Sequence, residues 1–185
     1  DISWQAIISA MLKLLAYRPE GSNSDYYRRF ILAAQPDIKE EFTRVGILKS
    51  EQGELELAQE IFRSMAGLFP DCGQTRNNLA LVYRAQKRFP EAEKLYLRSL
   101  SLLEQTLGSN HPDVAKTVNS LAQLLRAQGA LAEARAYFER LLELTEGYVR
   151  VQVAALNSAQ RLSLVRSVRY RLDSWLRFSP RVKAS

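Results

Sequence analysis

The stretch NNLALVYRAQKRFPEAEKLYLRSLSLLE, residues 77–104, decides how this chain folds, because it occurs twice. Shifted by 42 residues it lies over NSLAQLLRAQGALAEARAYFERLLELTE, residues 119–146, with twelve of 28 positions identical. The identities include Leu79/Leu121, Ala80/Ala122, the Arg-Ala-Gln runs at 84–86 and 126–128, Glu91-Ala92/Glu133-Ala134 and Arg98/Arg140. Within the first copy apolar residues recur at helical spacing, as Leu79, Val82 and Tyr83 and then Ala92, Leu95, Tyr96 and Leu100. A period of this length marks stacked units that bury their apolar faces against their neighbours. A third copy lies 34 residues upstream, carried by Val45-Gly46, Gly53, Ala58, Phe62 and Pro70.

The rest of the chain agrees with a helical reading. Gly and Pro punctuate it at Pro19/Gly21, Pro36, Gly53, Pro70/Gly73, Pro90, Gly108/Pro112, Gly129, Gly147 and Pro180. The segments between are of helical-hairpin length and joined by tight turns. Leu (28) and Ala (21) dominate, whereas Val, Ile and Thr together number 22, a balance that favours helix because unbranched side chains lose little rotamer freedom there. At 185 residues and 46% hydrophobic content the chain makes one large domain or two small ones and is not disordered. The single Cys72 excludes a disulfide framework and fits a reducing compartment, so a cytoplasmic location is expected. No apolar run reaches the ~20 residues needed to span a bilayer. Residues 2–17 carry Lys13 and have no basic leader, so they do not read as a signal peptide. A start at Asp1 reads as a segment of a longer protein.

These repeats resemble the tetratricopeptide repeat. That family's pattern has a large residue and then Gly or Ala on the first helix, Gly at the turn, Ala and an aromatic on the second helix, and Pro at the end. Here the small residues are Gly46, Ala80 and Ala122 on first helices and Ala58, Ala92 and Ala134 on second helices, with Phe62, Tyr96 and Phe138 as the aromatics. Lys87 departs from the pattern where the turn Gly is expected. The 42-residue spacing and the linker at 107–115 look like the longer repeats of the kinesin-light-chain type. The resemblance implies an all-α, right-handed superhelical array of hairpins. Its expected divisions are a degenerate helical pair over 1–38, three repeats over 39–146 (39–72, 73–114 and 115–146), and a basic C-terminal capping helix over 147–185. Residues 3–17 and 24–35 are the helices of the first pair, with Ser24 or Asp25 as N-cap. Asn157-Ser158 offers caps for a final helix to about residue 178. Residues 149–153 alternate like a strand, but their context favours helix. Residues 154–176 also look like the segment that links tetratricopeptide arrays to caspase-like CHAT protease domains in bacteria.

Chemistry-bearing motifs are sparse. One His and one Cys give no metal site, and no cofactor is expected. No GxGxxG, P-loop or GxSxG occurs. His111 precedes Pro112 at a helix start, and Cys72 stands at an inter-helix turn, so the pair does not read as a protease dyad. The chain is therefore read as a non-catalytic interaction module.

In tetratricopeptide arrays the first helix of each hairpin lines the concave face. Residues 74–86 contain Arg76 and Arg84, and 114–128 contain Lys116 and Arg126, with no acid in either stretch. The resemblance places Asn77, Asn78 and Asn119 where an amide grips a bound peptide backbone, since an amide donates and accepts at once. Leu81, Gln123, Arg84 and Arg126 continue that face, and Leu124 is expected to add hydrophobic contact there. The expected peptide-binding set is thus Asn77, Asn78, Leu81, Arg84, Lys116, Asn119, Gln123 and Arg126, and the expected partner is an acidic peptide or acidic protein surface. The alternative reading is an exposed basic face without a ligand. A second alternative is the regulatory portion of a CHAT protease. The net charge of +6 resides in the tail: residues 148–185 sum to +7 and residues 1–147 to −1. Arg161, Arg166, Arg169, Arg171 and Arg177 surround an apolar stripe that includes Trp175. Nucleic-acid binding through this segment is a further alternative that the scarcity of stacking aromatics argues against.

Overall fold

The computed structural model describes residues 4–160, which form eight helices. They are α1 (Trp4–Tyr17), α2 (Ser24–Ala34), α3 (Ile38–Glu51), α4 (Leu55–Leu68), α5 (Gly73–Ala85), α6 (Phe89–Leu107), α7 (Pro112–Gln128) and α8 (Leu131–Ala155). Among the described residues there is no strand, and the fold is an all-α array of helical hairpins. Residues 149–153 lie within α8. The chain divides into two compact units, Asp1–Leu144 and Thr145–Ser185.

In the first unit α3 packs on α4, α4 on α5, α5 on α6 and α6 on α7. The main core follows from this order. It joins Ala58, Phe62 and Met65 of α4, Leu79, Ala80 and Val82 of α5, Ala92, Tyr96 and Leu100 of α6, and Val114, Val118 and Leu121 of α7. Tyr137, Leu141 and Leu144 of α8 pack against the same core. The small residues set the helix spacing: a Cβ added at Gly46 would lie 2.6 Å from Phe62 Cζ, and Ala58, Ala80 and Ala92 are fully buried. Burial pushes the Tyr96 hydroxyl up to about 12, so it stays neutral in the core.

The turns between the paired helices use the left-handed region. Gly53 and Gly129 have φ of +80° and +82°. Lys87 occupies the corresponding turn between α5 and α6 with φ +62°, which costs a side-chain-bearing residue about 1–2 kcal/mol. Lys87→Gly is expected to raise stability by about 0.5–1 kcal/mol, after the added freedom of the unfolded chain is deducted. Thermal unfolding followed by circular dichroism should show this as a midpoint about 1–4 °C higher. A lower midpoint would show that the lysine side chain contributes more than its backbone costs.

The N-terminal pair is not a regular hairpin. α1 touches α2 only lightly, and its principal partner is α4. Leu12 and Leu15 of α1, Ile31 of α2, Ile38 of α3 and Leu68 of α4 form a second core. A Cβ on Gly67 would lie 2.1 Å from the Leu15 carbonyl oxygen, so the two backbones meet there. Arg28 fastens the connection, donating from Nε to the Gly67 carbonyl at 3.0 Å and from Nη2 to the Pro19 carbonyl at 2.7 Å. Asn23, not Ser24 or Asp25, is the N-cap of α2. Ser24 is the first helical residue, and its hydroxyl donates back to the Arg18 carbonyl.

In the second unit the Asn157 Oδ1 accepts from the Gln160 backbone N–H at 2.9 Å, and Gln160 Oε1 accepts from the Asn157 N–H at 3.0 Å. This reciprocal pair is a capping box and opens a helix at Ser158. The expected continuation, with Arg161, Arg166, Arg169, Arg171, Arg177 and Trp175, lies outside the described residues, as does most of the segment resembling the CHAT linker.

Candidate functional site

The first helices of the three hairpins, α3, α5 and α7, are in sequence-order contact, α3 with α5 and α5 with α7. Two cavities open along α3 and α5. One, of about 750 Å³, is lined by α3 residues including Thr43, Arg44, Ile47 and Leu48, and by Gln74 of α5. The other, of about 300 Å³, lies between α3 and α5 and takes in Asn78, Leu81 and Arg84, with Ile47, Glu51 and Phe62. Ile47 belongs to both.

Helical periodicity explains which side chains reach this face. On α5 the stripe Arg76, Leu79, Ala80 and Tyr83 is buried, which leaves Gln74, Asn78, Leu81 and Ala85 on the open side. Arg84 borders the two stripes. Its Nη1 donates to Gln123 Oε1 of α7 at 3.0 Å, so two of the expected site residues meet across neighbouring helices. At the other end of the same helix pair Gln74 Nε2 donates to Asp113 Oδ2 at 2.5 Å.

Two expected features, Arg76 and Leu124 on the open face, need correction. Arg76 is 6% exposed and faces the core, where burial, and then Arg98 nearby, lower its pKa. Leu124 is fully buried and belongs to the core. Lys116 is exposed but pairs with Asp113 at 2.8 Å, because α7 begins at Pro112 and so puts an acid in its first turn. That hydrogen bond from Lys116, helped by Gln74, holds the Asp113 carboxyl below the usual carboxylate range. The wall of α3, absent from the expected set, adds the acids Glu40 and Glu51, so the face is not uniformly basic.

The remaining residues are placed as follows. Asn78 lines the smaller cavity, whereas the Asn77 Oδ1 is buried and has no hydrogen-bond partner among the described residues. Asn119 is half-buried and is the 42-residue counterpart of Asn77. Arg126 is exposed in the last turn of α7. The signal for the missed wall lay in the third copy, since the 34-residue shift that aligns Gly46 with Ala80 also aligns Ile47 with Leu81. Ile47 and Leu48, 42% and 48% exposed, line the larger cavity side by side.

Among the described residues no three His, Cys, Asp or Glu side chains converge as a metal site. His111 is the N-cap of α7, its Nδ1 accepting from the Asp113 N–H at 3.1 Å. Cys72 is a half-buried thiol at the N-cap of α5. No helix among the described residues is long and apolar enough to cross a membrane.

Residues 71–147 match the model of the tetratricopeptide repeat family. Among solved structures, the crystal structure of BtubC (BKLC) from P. vanneervenii is similar to the chain with a TM-score of 0.56 at 17% identity, over 97% of this chain and 86% of that one. The crystal structure of MamA is similar with a TM-score of 0.53 at 17% identity, over 77% of this chain and 81% of that one. At such identities the likeness is one of fold. No curated protein sequence matches the chain.

Proposed function

We propose that this array of tetratricopeptide hairpins is a non-catalytic protein–protein interaction module that holds a partner peptide against α3, α5 and α7. The observation that carries the reading is the pair of adjoining cavities along α3 and α5, the smaller of which Asn78, Leu81 and Arg84 line together, with Arg84 tied to Gln123 of α7. The 42-residue register and the linker at 107–115 support an array of the long, kinesin-light-chain type.

The partner proposed for the α5–α7 half is acidic. Between Gly73 and Gln128 of the two inner helices the only acid is Asp113, and it is already bound to Lys116 and Gln74. Arg84 and Arg126 are left without an ion pair among the described residues. A face of one charge raises the on-rate for the opposite charge, and the effect falls as salt rises. Exposed pairs are worth about 0.2–1 kcal/mol each, so reversing two of them by Arg84→Glu with Arg126→Glu should weaken an acidic Leu-containing decapeptide about tenfold. Fluorescence anisotropy at low and physiological salt would read this, with slower association and a melting temperature close to the parent's. Equal binding by the double variant would remove the α5–α7 face as the acid-binding site.

A further inference from the structure

The smaller cavity is asymmetric in charge. Ile47 on the α3 wall and Leu81 on the α5 wall line it, and Phe62 of α4 contributes from below. Glu51 stands on the α3 side and Arg84 on the α5 side. Arg84 is held by the neutral amide of Gln123, and neither Arg84 nor Glu51 forms an ion pair among the described residues. Two opposite charges thus border one apolar pit without neutralising each other.

We infer that the pit between α3 and α5 recognises a bipolar extended segment of a partner protein: one aliphatic anchor side chain, with a basic residue on its α3 side and an acidic residue on its α5 side. This rests on the groove reading proposed above and narrows it, because an acid-only peptide would meet Glu51. At about 300 Å³ the cavity accepts one anchor with its adjoining backbone. A helix with side chains, ~10–12 Å across, is too wide for it. An apolar side chain in such a pit supplies the affinity, while the bordering charges set register and reject mismatched partners. Packed helices lie about 8–10 Å apart and an extended chain advances about 3.3 Å per residue, which puts the base and the acid roughly three residues apart. Asn78, on the same wall as Arg84, offers both a donor and an acceptor to the backbone that passes between them.

Selection of a random 12-residue peptide library displayed on phage, against the whole chain, tests this directly. The expected consensus is an aliphatic residue between a base and an acid. Against Glu51→Lys the selected base should become an acid, and against Arg84→Glu the selected acid should become a base. The isosteric Glu51→Gln should erase the basic preference alone. Ile47→Ser, at an exposed position, should weaken the parent consensus peptide about tenfold. Circular dichroism would verify that each variant keeps its helix content. An acidic consensus that Glu51→Lys leaves unchanged, or one without an aliphatic residue, overturns the bipolar pit and leaves the acid-binding groove standing. No enrichment over bare resin overturns both.

Discussion

Gly67→Ala is expected to detach α1 from α4 while leaving the repeats folded. The added Cβ would lie 2.1 Å from the Leu15 oxygen, 2.4 Å from its carbonyl carbon and 2.9 Å from the Ala16 nitrogen. All three are backbone atoms, so no rotamer change relieves the overlap. Either α1 shifts as a body or α4 bends, and overpacking of this kind costs about 1–3 kcal/mol or more. The second core, Leu12, Leu15, Ile31, Ile38 and Leu68, depends on that approach and should loosen with it. Hydrogen exchange gives the clearest readout: amides of residues 4–17 should lose protection, while those of α5, α6 and α7 keep theirs. Retained protection over α1 would mean that its docking tolerates a backbone displacement.

Phe62→Ala acts on the main core and should have the larger effect. Phe62 is 1% exposed and its ring fills the space that Gly46 leaves open. Removing a buried phenyl ring costs about 3–5 kcal/mol through lost transfer energy and the cavity that remains. In a domain of this size that lowers the melting midpoint by roughly 6–20 °C. The partner substitution gives the sharper test. Gly46→Ala alone should destabilise, because its Cβ would sit 2.6 Å from the ring, yet in the Phe62→Ala background that ring is gone and the alanine adds helix propensity. Relief of the overlap with the ring alone should make the double variant more stable than the two single effects predict by addition. Strict additivity would show that Gly46 and Phe62 do not share that space.

The architecture was legible because the repeat carries its own register. Once 77–104 and 119–146 were superposed, the helix starts, turns and buried alanines of α5 to α8 followed, and the 34-residue shift extended them to α3 and α4. The face of each helix was less well read. Taking each inner helix as a whole put the charge of Arg76 and the apolar side chain of Leu124 in the groove, although their spacing from Leu79, Ala80 and Tyr83, and from Val114, Val118 and Leu121, places them on buried stripes. Starting α7 at Val114 instead of Pro112 hid the acid that pairs with Lys116. The docking of α1 on α4 is non-local, and the local pattern of two helices and a turn suits a hairpin equally well. Its one trace in the sequence is Gly67, a glycine in the last turn of a helix that ends at Leu68 without a left-handed cap.

The two side-chain ties between α5 and α7 have a mechanical consequence. Gln74–Asp113 spans the beginnings of the helices and Arg84–Gln123 their far ends, like two rungs between two rails. Among the described residues no such rung joins α3 to α5, where the pit opens. Tension along the array therefore meets a braced interval followed by an unbraced one, and strain collects in the second. The junction between the α3–α4 hairpin and α5 is therefore expected to yield first, changing the gap between Ile47 and Leu81 before the braced half deforms.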